Sequence, residues 1–583
     1  MKLNYKKVFF VGMAFFLISM FWQTYDSIVT KILIDKFGLN QTWSGVVMAL
    51  DNVLALFMLP LFGSLSDKTK NKFGRRTPYI VVGTILAAFA FVALSFADSY
   101  QTVRINEESV ITEEYAEFNH EKAVMKLSIV SSKNVLPGFD NDENGVISEV
   151  ENRTWYAEWL ISMAKWQGQI IDLKAEKDLL LADDDISQAA YDRWIERTYD
   201  PMVVAVTNGL ANGGLTQAEY SYWSDEVYDG IYDASLSTQA WELTVANPAT
   251  FIIFVLILLV ALVSMATFRS PAVALMPDVT IKPLRSKANA VINLMGTFGG
   301  ILSIVILAVF GLSNLSYVNY SAAFIVVGIL MIVFLGIFIW QVKEPKLVAE
   351  KIAEDIKFDL VEVEETEKAP KEALVELPKA KARSLYLILA SVFLWFIGYN
   401  AVTTKVSDYA PKVLGMEFSL PLLIAQGAAL IAFVPIGILA SKIGRRKTIL
   451  IGITLLTICF GSVYFLSNFV SDATPMLMYI IFAFTGVGWA TINVNSYPMV
   501  VELSKGSNVG KYTGYYYTFS MAAQILTPIL SGFLMDITSR KILFPYAALF
   551  VAASFITMFF VKHGDAQIEK KASVLENFDV DAD

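Results

Sequence analysis

The chain has 583 residues, is 55% hydrophobic, has a mean hydropathy of +0.51 and carries a net charge of −9. That hydropathy excludes an ordinary soluble globular domain, because several apolar runs reach the ~20 residues that cross a bilayer as a helix. The single cysteine, Cys459, excludes disulfide staples.

Twelve apolar segments are predicted as spanning helices: roughly 8–34, 41–66, 78–98, 248–270 (running on to about 278), 287–312, 320–342, 384–408, 418–441, 448–468, 476–502, 511–535 and 543–562. Their Gly and Pro are tolerable in packed spans. The first is too long to be a signal peptide, and no small-residue cleavage site follows it. The expected domains are 1–97 (spans 1 to 3), an insertion at 98–247, 248–342 (spans 4 to 6), a linker at 343–383, 384–562 (spans 7 to 12) and a tail at 563–583. The linker is rich in Glu and Lys and reads as a solvated helix or a disordered tether.

Lys and Arg set the expected orientation. Lys2, Lys6 and Lys7 precede span 1, and Lys68, Lys70, Lys72, Arg75 and Arg76 follow span 2. Lys282, Arg285 and Lys287 follow span 4, and Lys442 to Lys447 follow span 8. With alternating spans these fall on one side, which places both termini in the cytoplasm and the chain in the cell membrane. Between Asp98 and Asn247, 28 Asp+Glu stand against 10 Lys+Arg, a net of −18 that leaves +9 for the rest. This acidic stretch is the long hydrophilic segment expected on the outer side.

The chain repeats itself. Tyr25-Asp-Ser-Ile-Val-Thr-Lys31 matches Tyr399-Asn-Ala-Val-Thr-Thr-Lys405 at an offset of 374, shared by Gly63 with Gly437 and Lys68 with Lys442. Gly74-Arg75-Arg76 matches Gly444-Arg445-Arg446 at 370, whereas Asp278 with Glu502 and Lys287 with Lys511 match at 224. The drop of 146 measures an insertion in the first half and coincides with the acidic stretch. Duplication of this kind is how transporters are built.

Two six-span halves, with Gly63-x-x-x-Asp67-Lys68…Gly74-Arg75-Arg76 after span 2 and its echo after span 8, resemble the major facilitator superfamily. Residues 66–79, Ala274-Leu-Met-Pro-Asp278 and Lys287-Ala-Asn-Ala290 are similar to the proton-coupled sucrose and glycoside transporters. The resemblance covers everything except the insertion. It implies an all-α membrane fold of two pseudo-symmetric six-helix bundles. It also implies an inner gate in which Asp67, Arg75 and Arg76 meet Asp278 and Glu344, while Arg445 and Arg446 meet Glu502. Bidentate Arg–carboxylate pairs are strong at a low-dielectric edge, yet can be exchanged for water. The same arginines also serve topology.

Charges inside spans are costly and usually functional. Asp26 stands opposite Asn400 in the repeat, Asp51 opposite Ala425 and Arg269 opposite Asn493, so the first half carries charge where the second is neutral. At 1.5 Å per residue, Asp26 and Asp51 lie at similar depth, ~27 and ~24 Å from the inner edge, and Arg269 at ~13 Å. Buried carboxylates can exchange protons near neutral pH. Tyr25-Asp26-Ser27-x-Val29 is similar to the first span of proton-coupled sugar porters, whose Asp carries the coupling proton opposite an Arg of span 4. In plant-type sucrose transporters that Arg falls at the place of Val273, and Arg269 sits one turn earlier on the same face. The alternative for Asp26 is a fixed hydrogen bond or a surface position.

Candidate sugar contacts are Gln23, Tyr25, Asn52, Trp395, Tyr399, Asn400, Gln426, Trp489, Asn493 and Asn495. Amides and Tyr supply hydrogen bonds, and aromatic faces stack on sugar rings. Singly, each reads as helix–helix glue; as a set they favour a polar neutral solute.

Within the insertion, Asp140-Asn-Asp142-Glu-Asn144-Gly145-Val146-Ile-Ser148-Glu-Val-Glu151 meets the EF-hand pattern. Oxygens fall at positions 1, 3 and 5, a turn Gly at 6, the Val146 carbonyl at 7, Ser148 at 9 and the closing Glu at 12. Calcium is the expected structural ion; an acidic turn without an ion is the alternative. The following run, 153–166, reads as an exiting helix. Asn208 to Glu219 reads as a degenerate second loop lacking an oxygen at Leu210. Asn152-Arg-Thr154 is a glycosylation sequon.

The expectation is therefore a proton-coupled symporter of a neutral sugar in the bilayer, with no nucleic-acid partner and no cofactor for transport beyond the proton. With His120 and His563 both outside the spans, no catalytic constellation is expected. A facilitator or symporter of a nucleoside or organic anion is the alternative, and Arg269 with Lys31 or Lys405 would suit an anion. A transporter-like nutrient sensor is a third reading, disfavoured by intact coupling residues.

Overall fold

The computed structural model describes residues 3–563 apart from 108, 132, 134, 183–187, 222–228, 313–318, 359–377, 415, 470–474 and 504–508. The middle of the expected linker and the tail beyond His563 lie outside the described residues. Every regular element among the described residues is helical. The helices are α1 (Tyr5–Lys31), α2 (Gln41–Lys68), α3 (Thr77–Glu107), α4 (Ser109–Ser131), α5 (Glu149–Ala182), α6 (Gln188–Trp194), α7 (Asp200–Asn212), α8 (Gln217–Ser221), α9 (Asp229–Ala246) and α10 (Ala249–Val279). They continue with α11 (Arg285–Val309), α12 (Ser321–Gln341), α13 (Glu344–Lys357), α14 (Lys379–Val413), α15 (Ser419–Ile443), α16 (Arg445–Phe469), α17 (Pro475–Val501), α18 (Val509–Ile537) and α19 (Leu543–Phe559).

Among the described residues, eleven helices are long and apolar enough to cross a membrane by length and composition. The expected eighth span corresponds to α15, whose apolar stretch covers Ser419–Phe433. Local chemistry sets the ends. The Asn4 side chain accepts from Lys7 N at 3.1 Å, and the Asn40 side chain accepts from Trp43 N at 2.8 Å, each satisfying a donor that the first turn leaves open. Between these helices, α1 runs into a π-helical turn, Ile32–Lys36, that stops at Gly38 with φ +67°.

The chain divides into two compact units. In the larger, α1 packs on α11 and α12, α14 on α18 and α19, and α15 on α17. The two halves meet where α2 lies on α18 and α11 on α15. These are repeat-related interfaces, span 2 with span 11 and span 5 with span 8.

The smaller unit, Val103–Leu243, has its own core. Trp155, Trp159, Met163, Trp166 and Ile170 recur at helical spacing along one face of α5 and are buried with Val124 and Met125 of α4 and Met202 and Val206 of α7. Each buried aromatic removes ~150–250 Å² from water, on the order of 4–6 kcal/mol at ~25 cal/mol/Å². That stabilises a small unit without disulfides. The degenerate second loop is not wound as one. Asn208 to Asn212 belong to α7, which ends at Gly213 with φ +67°. Glu219 instead accepts from Thr216 N at 2.9 Å while its own N–H donates to Thr216 Oγ1 at 3.3 Å, a capping box that starts α8. The first five positions are helical, and the first still meets the last, since Asn208 Nδ2 donates to Glu219 Oε1 at 3.1 Å.

Candidate functional site

A cavity of about 470 Å³ lies between the halves of the larger unit. Its wall is made of single helix faces. From α1 come Phe15, Ile18, Ser19, Trp22, Gln23 and Asp26, an i, i+3, i+4, i+7 series. From α11 come Asn293, Gly296, Thr297 and Gly300, and from α15 Leu422, Ala425, Gln426, Ala429 and Phe433, with the same spacing. Leu294 of α11, Leu430 of α15, Asp51 and Asn52 of α2, Arg269 and Val273 of α10, Tyr399 and Thr403 of α14, Gly486, Trp489 and Asn493 of α17 and Gln524 of α18 complete it.

The cavity is chemically two-sided. Its three charged side chains, Asp26, Asp51 and Arg269, all belong to the first half. Asp51 interacts electrostatically with both Asp26 and Arg269, and its Oδ1 accepts from Asn52 N at 2.5 Å and Asn52 Nδ2 at 2.7 Å. The Arg269 guanidinium lies 5.9 Å from the Trp22 ring centroid, within cation–π range. The second half contributes aromatic and amide groups. Tyr399 and Trp489 stack at 3.8 Å with planes 4° apart, and Phe396 abuts Trp489 edge-on at 5.4 Å. Gln426 Nε2 donates to Gln23 Oε1 at 2.5 Å, a bond across the two halves.

Thus Gln23, Asp26, Asp51, Asn52, Arg269, Tyr399, Gln426, Trp489 and Asn493 are brought together. Four expected contacts are not on the wall. Tyr25 is fully buried one position off the α1 face, its hydroxyl 3.4 Å from the Met48 carbonyl. Trp395 is buried in the core. Asn400 stands one position past Tyr399, off the Tyr399–Thr403 face. Asn495 is buried and donates to Thr491 O of its own helix at 2.9 Å. Ser19, Trp22, Asn293, Thr297, Thr403 and Gln524 were not anticipated. The helical period through Gln23 and Asp26 already contained the signal for Ser19 and Trp22.

At the end of the bundle bearing the arginine motifs, the ion pairs join helices of one half. Asp278 accepts from Arg75 Nη2 at 2.5 Å and Nε at 3.1 Å, and from Arg76 Nε at 2.8 Å. Arg76 also pairs with Asp67 and donates to Ser66 Oγ at 2.5 Å. Glu344 plays a different part from the expected Arg–carboxylate pair. It accepts the backbone N–H of Arg75, Arg76 and Thr77 at 2.8, 3.0 and 2.7 Å and the Thr77 hydroxyl at 2.7 Å. A buried carboxylate thereby caps the start of α3, where the helix dipole favours it. Gly74 is needed there: its φ is +110° and a Cβ would run into the Glu344 carboxyl group. In the second half Arg445 pairs with Glu502, while Arg446 donates to the Met558 and Phe559 carbonyls at the end of α19.

In the insertion, Asp140, Asp142 and Glu151 offer carboxylate oxygens that all lie within 4.8 Å of one another. Asp140 accepts from Gly145 N at 2.7 Å, and Gly145 takes φ +79° as position 6 requires. Asn144 Nδ2 donates to Asp142 at 2.7 Å, and Val146 N to Asn144 Oδ1 at 2.8 Å. Glu151 accepts from Ser148 N at 2.9 Å and Asn141 N at 2.7 Å, which holds its carboxyl below the usual glutamate range. These hard oxygens fit a calcium ion.

A duplicated helical bundle around a polar central cavity is the architecture of a membrane transporter. The chain belongs to the major facilitator superfamily: the Major Facilitator Superfamily profile matches residues 235–495 and 417–576, together more than half of it. An MFS/sugar transport protein profile matches residues 10–106. Over 76 residues the chain is 29% identical to the sucrose transport protein SUC4 of Arabidopsis thaliana, a match that spans 13% of this chain and only 15% of that one. The expected resemblance to the sucrose and glycoside group is found in these matches. The fold is similar to the inward open xylose transporter XylE from E. coli, with a TM-score of 0.51, 14% identity and coverage of 98% and 99% of the two chains. It is likewise similar to the peptide transporter POT, with a TM-score of 0.52, 10% identity and coverage of 95% and 93%. At these identities the likeness is one of fold.

Proposed function

We propose that this chain is a proton-coupled symporter of a neutral sugar, a glycoside or oligosaccharide, with twelve spans in the cell membrane and the arginine-motif end in the cytoplasm. The observation that carries the reading is the two-sided cavity. Two carboxylates and one arginine on the first-half wall supply a site for a coupling proton. The Tyr399–Trp489 stack and the Gln426, Asn493 and Gln524 amides of the second half supply a flat apolar face with hydrogen-bonding groups, the chemistry of a sugar ring. The test is uptake into proteoliposomes under an imposed pH gradient with a panel of sugars, nucleosides and organic anions. Accumulation indifferent to the gradient would reject proton coupling, and preference for an anion would favour the alternative that Arg269 leaves open. Trp489→Ala is expected to raise the half-saturating sugar concentration roughly tenfold or more, since a lost stacking face is worth ~1.5 kcal/mol. Little change would remove the stack from the binding site.

The insertion is proposed to hold one structural calcium in loop 140–151. Asp140, Asp142, Asn144, Ser148 and Glu151 would supply side-chain oxygens and Val146 its carbonyl. A site of ~10⁻⁴–10⁻³ M fills outside cells. Calcium at ~100 times the dissociation constant is expected to stabilise the insertion by about 2.7 kcal/mol. Calorimetric titration of the whole transporter should show binding heat that Glu151→Gln removes; no heat in the parent would reject the site. Because its hydrogen bonds depress the Glu151 carboxyl, the stability they contribute is present above the unfolded glutamate pKa and lost as pH falls through the folded value.

A further inference from the structure

We propose that the end of the bundle opposite the arginine motifs is closed by a reciprocal latch, in which repeat-related lysines, Lys31 and Lys405, each reach across to the start of the other half's second helix. The repeat Tyr25–Lys31 and Tyr399–Lys405 is only partly explained by the cavity, which uses Asp26 and Tyr399. Its last two residues point elsewhere. Thr30 Oγ1 donates to the carbonyl of Thr404 at 3.3 Å. Thr30 and Thr404 occupy the same place in the two repeats, so this bond lies at the pseudo-two-fold axis. One residue on, the lysines diverge across it. Lys405 of α14 donates to Gln41 O at 2.9 Å and Ser44 Oγ at 2.8 Å, in the first turn of α2. Lys31 of α1 sits 5.7 Å from the ring of Phe418, the residue that precedes α15. Both lysines are buried.

Around Lys405 the latch extends into a balanced set of charges. Asp536 of α18 accepts from Gln41 N at 2.9 Å and Thr42 N at 2.8 Å, so a carboxylate of the second half caps a helix of the first. Asp408 accepts from Gln41 Nε2 at 2.7 Å and Arg540 Nε at 3.0 Å. Lys412 bridges Asp35 at 2.6 Å and Asp408 at 3.0 Å. Lys405 also interacts electrostatically with Asp408, Asp536 and Arg540. Three carboxylates thus face Lys405, Lys412 and Arg540, and the set is neutral as a whole. Beneath it the backbones touch: a Cβ on Gly45 would overlap the Pro528 carbonyl, and one on Gly532 the Gln41 carbonyl. The α2–α18 contact therefore depends on glycine at both places.

This arrangement suits a switch better than a permanent joint. Closed, the charges are desolvated but paired; open, each returns to water, so the two states differ by a small balance of large terms. A small difference is what a substrate's unequal affinity for the two states can shift. Removing one partner unbalances the closed state alone, because it leaves a buried charge or helix end without its counterpart. Lys31 and Lys405 are accordingly positioning residues, acting on the helix starts and not on the sugar.

The inference rests on the transporter reading, and the side-specific reactivity of a cavity thiol tests it separately from substrate identity. With Cys459→Ser, a reporter Thr297→Cys on the cavity wall is labelled by a membrane-impermeant maleimide in right-side-out and inside-out vesicles. In the parent, labelling is expected from the arginine-motif side. Lys405→Met, Asp536→Asn and Gly532→Val are each expected to move the ratio of far-side to motif-side labelling roughly tenfold or more toward the far side. Lys405→Arg restores the parent ratio, and Lys31→Met shifts it in the same direction as Lys405→Met. Unchanged ratios in Lys405→Met and Asp536→Asn, with the protein folded and inserted, would overturn the latch. If Gly532→Val fails to fold, the charge variants and the arginine rescue still decide. Parent labelling in right-side-out vesicles alone would instead overturn the proposed orientation, while the shifts among variants still judge the latch.

Discussion

Asp26→Asn is expected to abolish pH-driven accumulation of sugar while leaving exchange of sugar across the membrane intact. With both carboxylates ionised, Asp26, Asp51 and Arg269 carry a net −1, and one bound proton makes the trio neutral. A neutral trio is cheaper to enclose in a low-dielectric cavity than a charged one, so the proton travels with the closed, moving state. Asparagine at 26 leaves Asp51 and Arg269 already neutral together, and the halves can exchange places without a proton. At one proton per sugar, a gradient of about one pH unit supports roughly tenfold accumulation in the parent. The variant should plateau near the external concentration, with counterflow retained. Accumulation that survives the substitution would remove Asp26 as the proton carrier. Loss of counterflow as well would assign Asp26 to sugar binding.

Glu344→Ala is expected to cost about 3–5 kcal/mol of stability, because several buried backbone donors lose their acceptor at once. Its two oxygens satisfy three backbone donors at the start of α3 together with the Thr77 hydroxyl. Each donor left unmet in a buried place costs ~1–3 kcal/mol. Glu344→Gln keeps an acceptor and loses the charge, so it should fall between parent and alanine. Glu350 on the same helix is a natural control. It meets Lys7 at 3.7 Å and is 45% exposed, so Glu350→Gln should change stability by less than ~1 kcal/mol. The measurement is apparent melting temperature in detergent, with size-exclusion profiles. Equal effects at 344 and 350 would show that the buried cap is not what holds the motif end together.

The two predictions probe opposite outcomes of one duplication. Asp26, Asp51 and Arg269 were legible because the second half shows neutral residues at the matching places, so comparison within one chain exposed what is special to the first. Glu344 was legible as an acid facing the arginine loop, but its partners were not. Sequence pairs side chains with side chains, whereas Glu344 binds backbone N–H groups, which every residue except proline possesses and no pattern marks. Ser19, Trp22, Asn293 and Thr297 follow the helical period through residues already chosen, so that period carried more information than residue type alone. Tyr25, Trp395, Asn400 and Asn495 had the right chemistry one or two positions off the face, or buried in the core.

By itself the sequence determined the membrane class, the duplication, the insertion and the charged residues of the first half. Each follows from local quantities: length of apolar runs, offsets between motifs and net charge per segment. Only the tertiary structure decided which faces enclose the cavity, that Gln23 reaches Gln426, and that Lys405, Asp408, Lys412, Asp536 and Arg540 converge on Gln41 and Asp35. The charged groups come from three short stretches, 35–41, 405–412 and 536–540, that lie more than a hundred residues apart, and each alone reads as an ordinary charge near a helix end. Their meaning comes from packing, because burial makes an unpaired charge costly and so makes the partner matter.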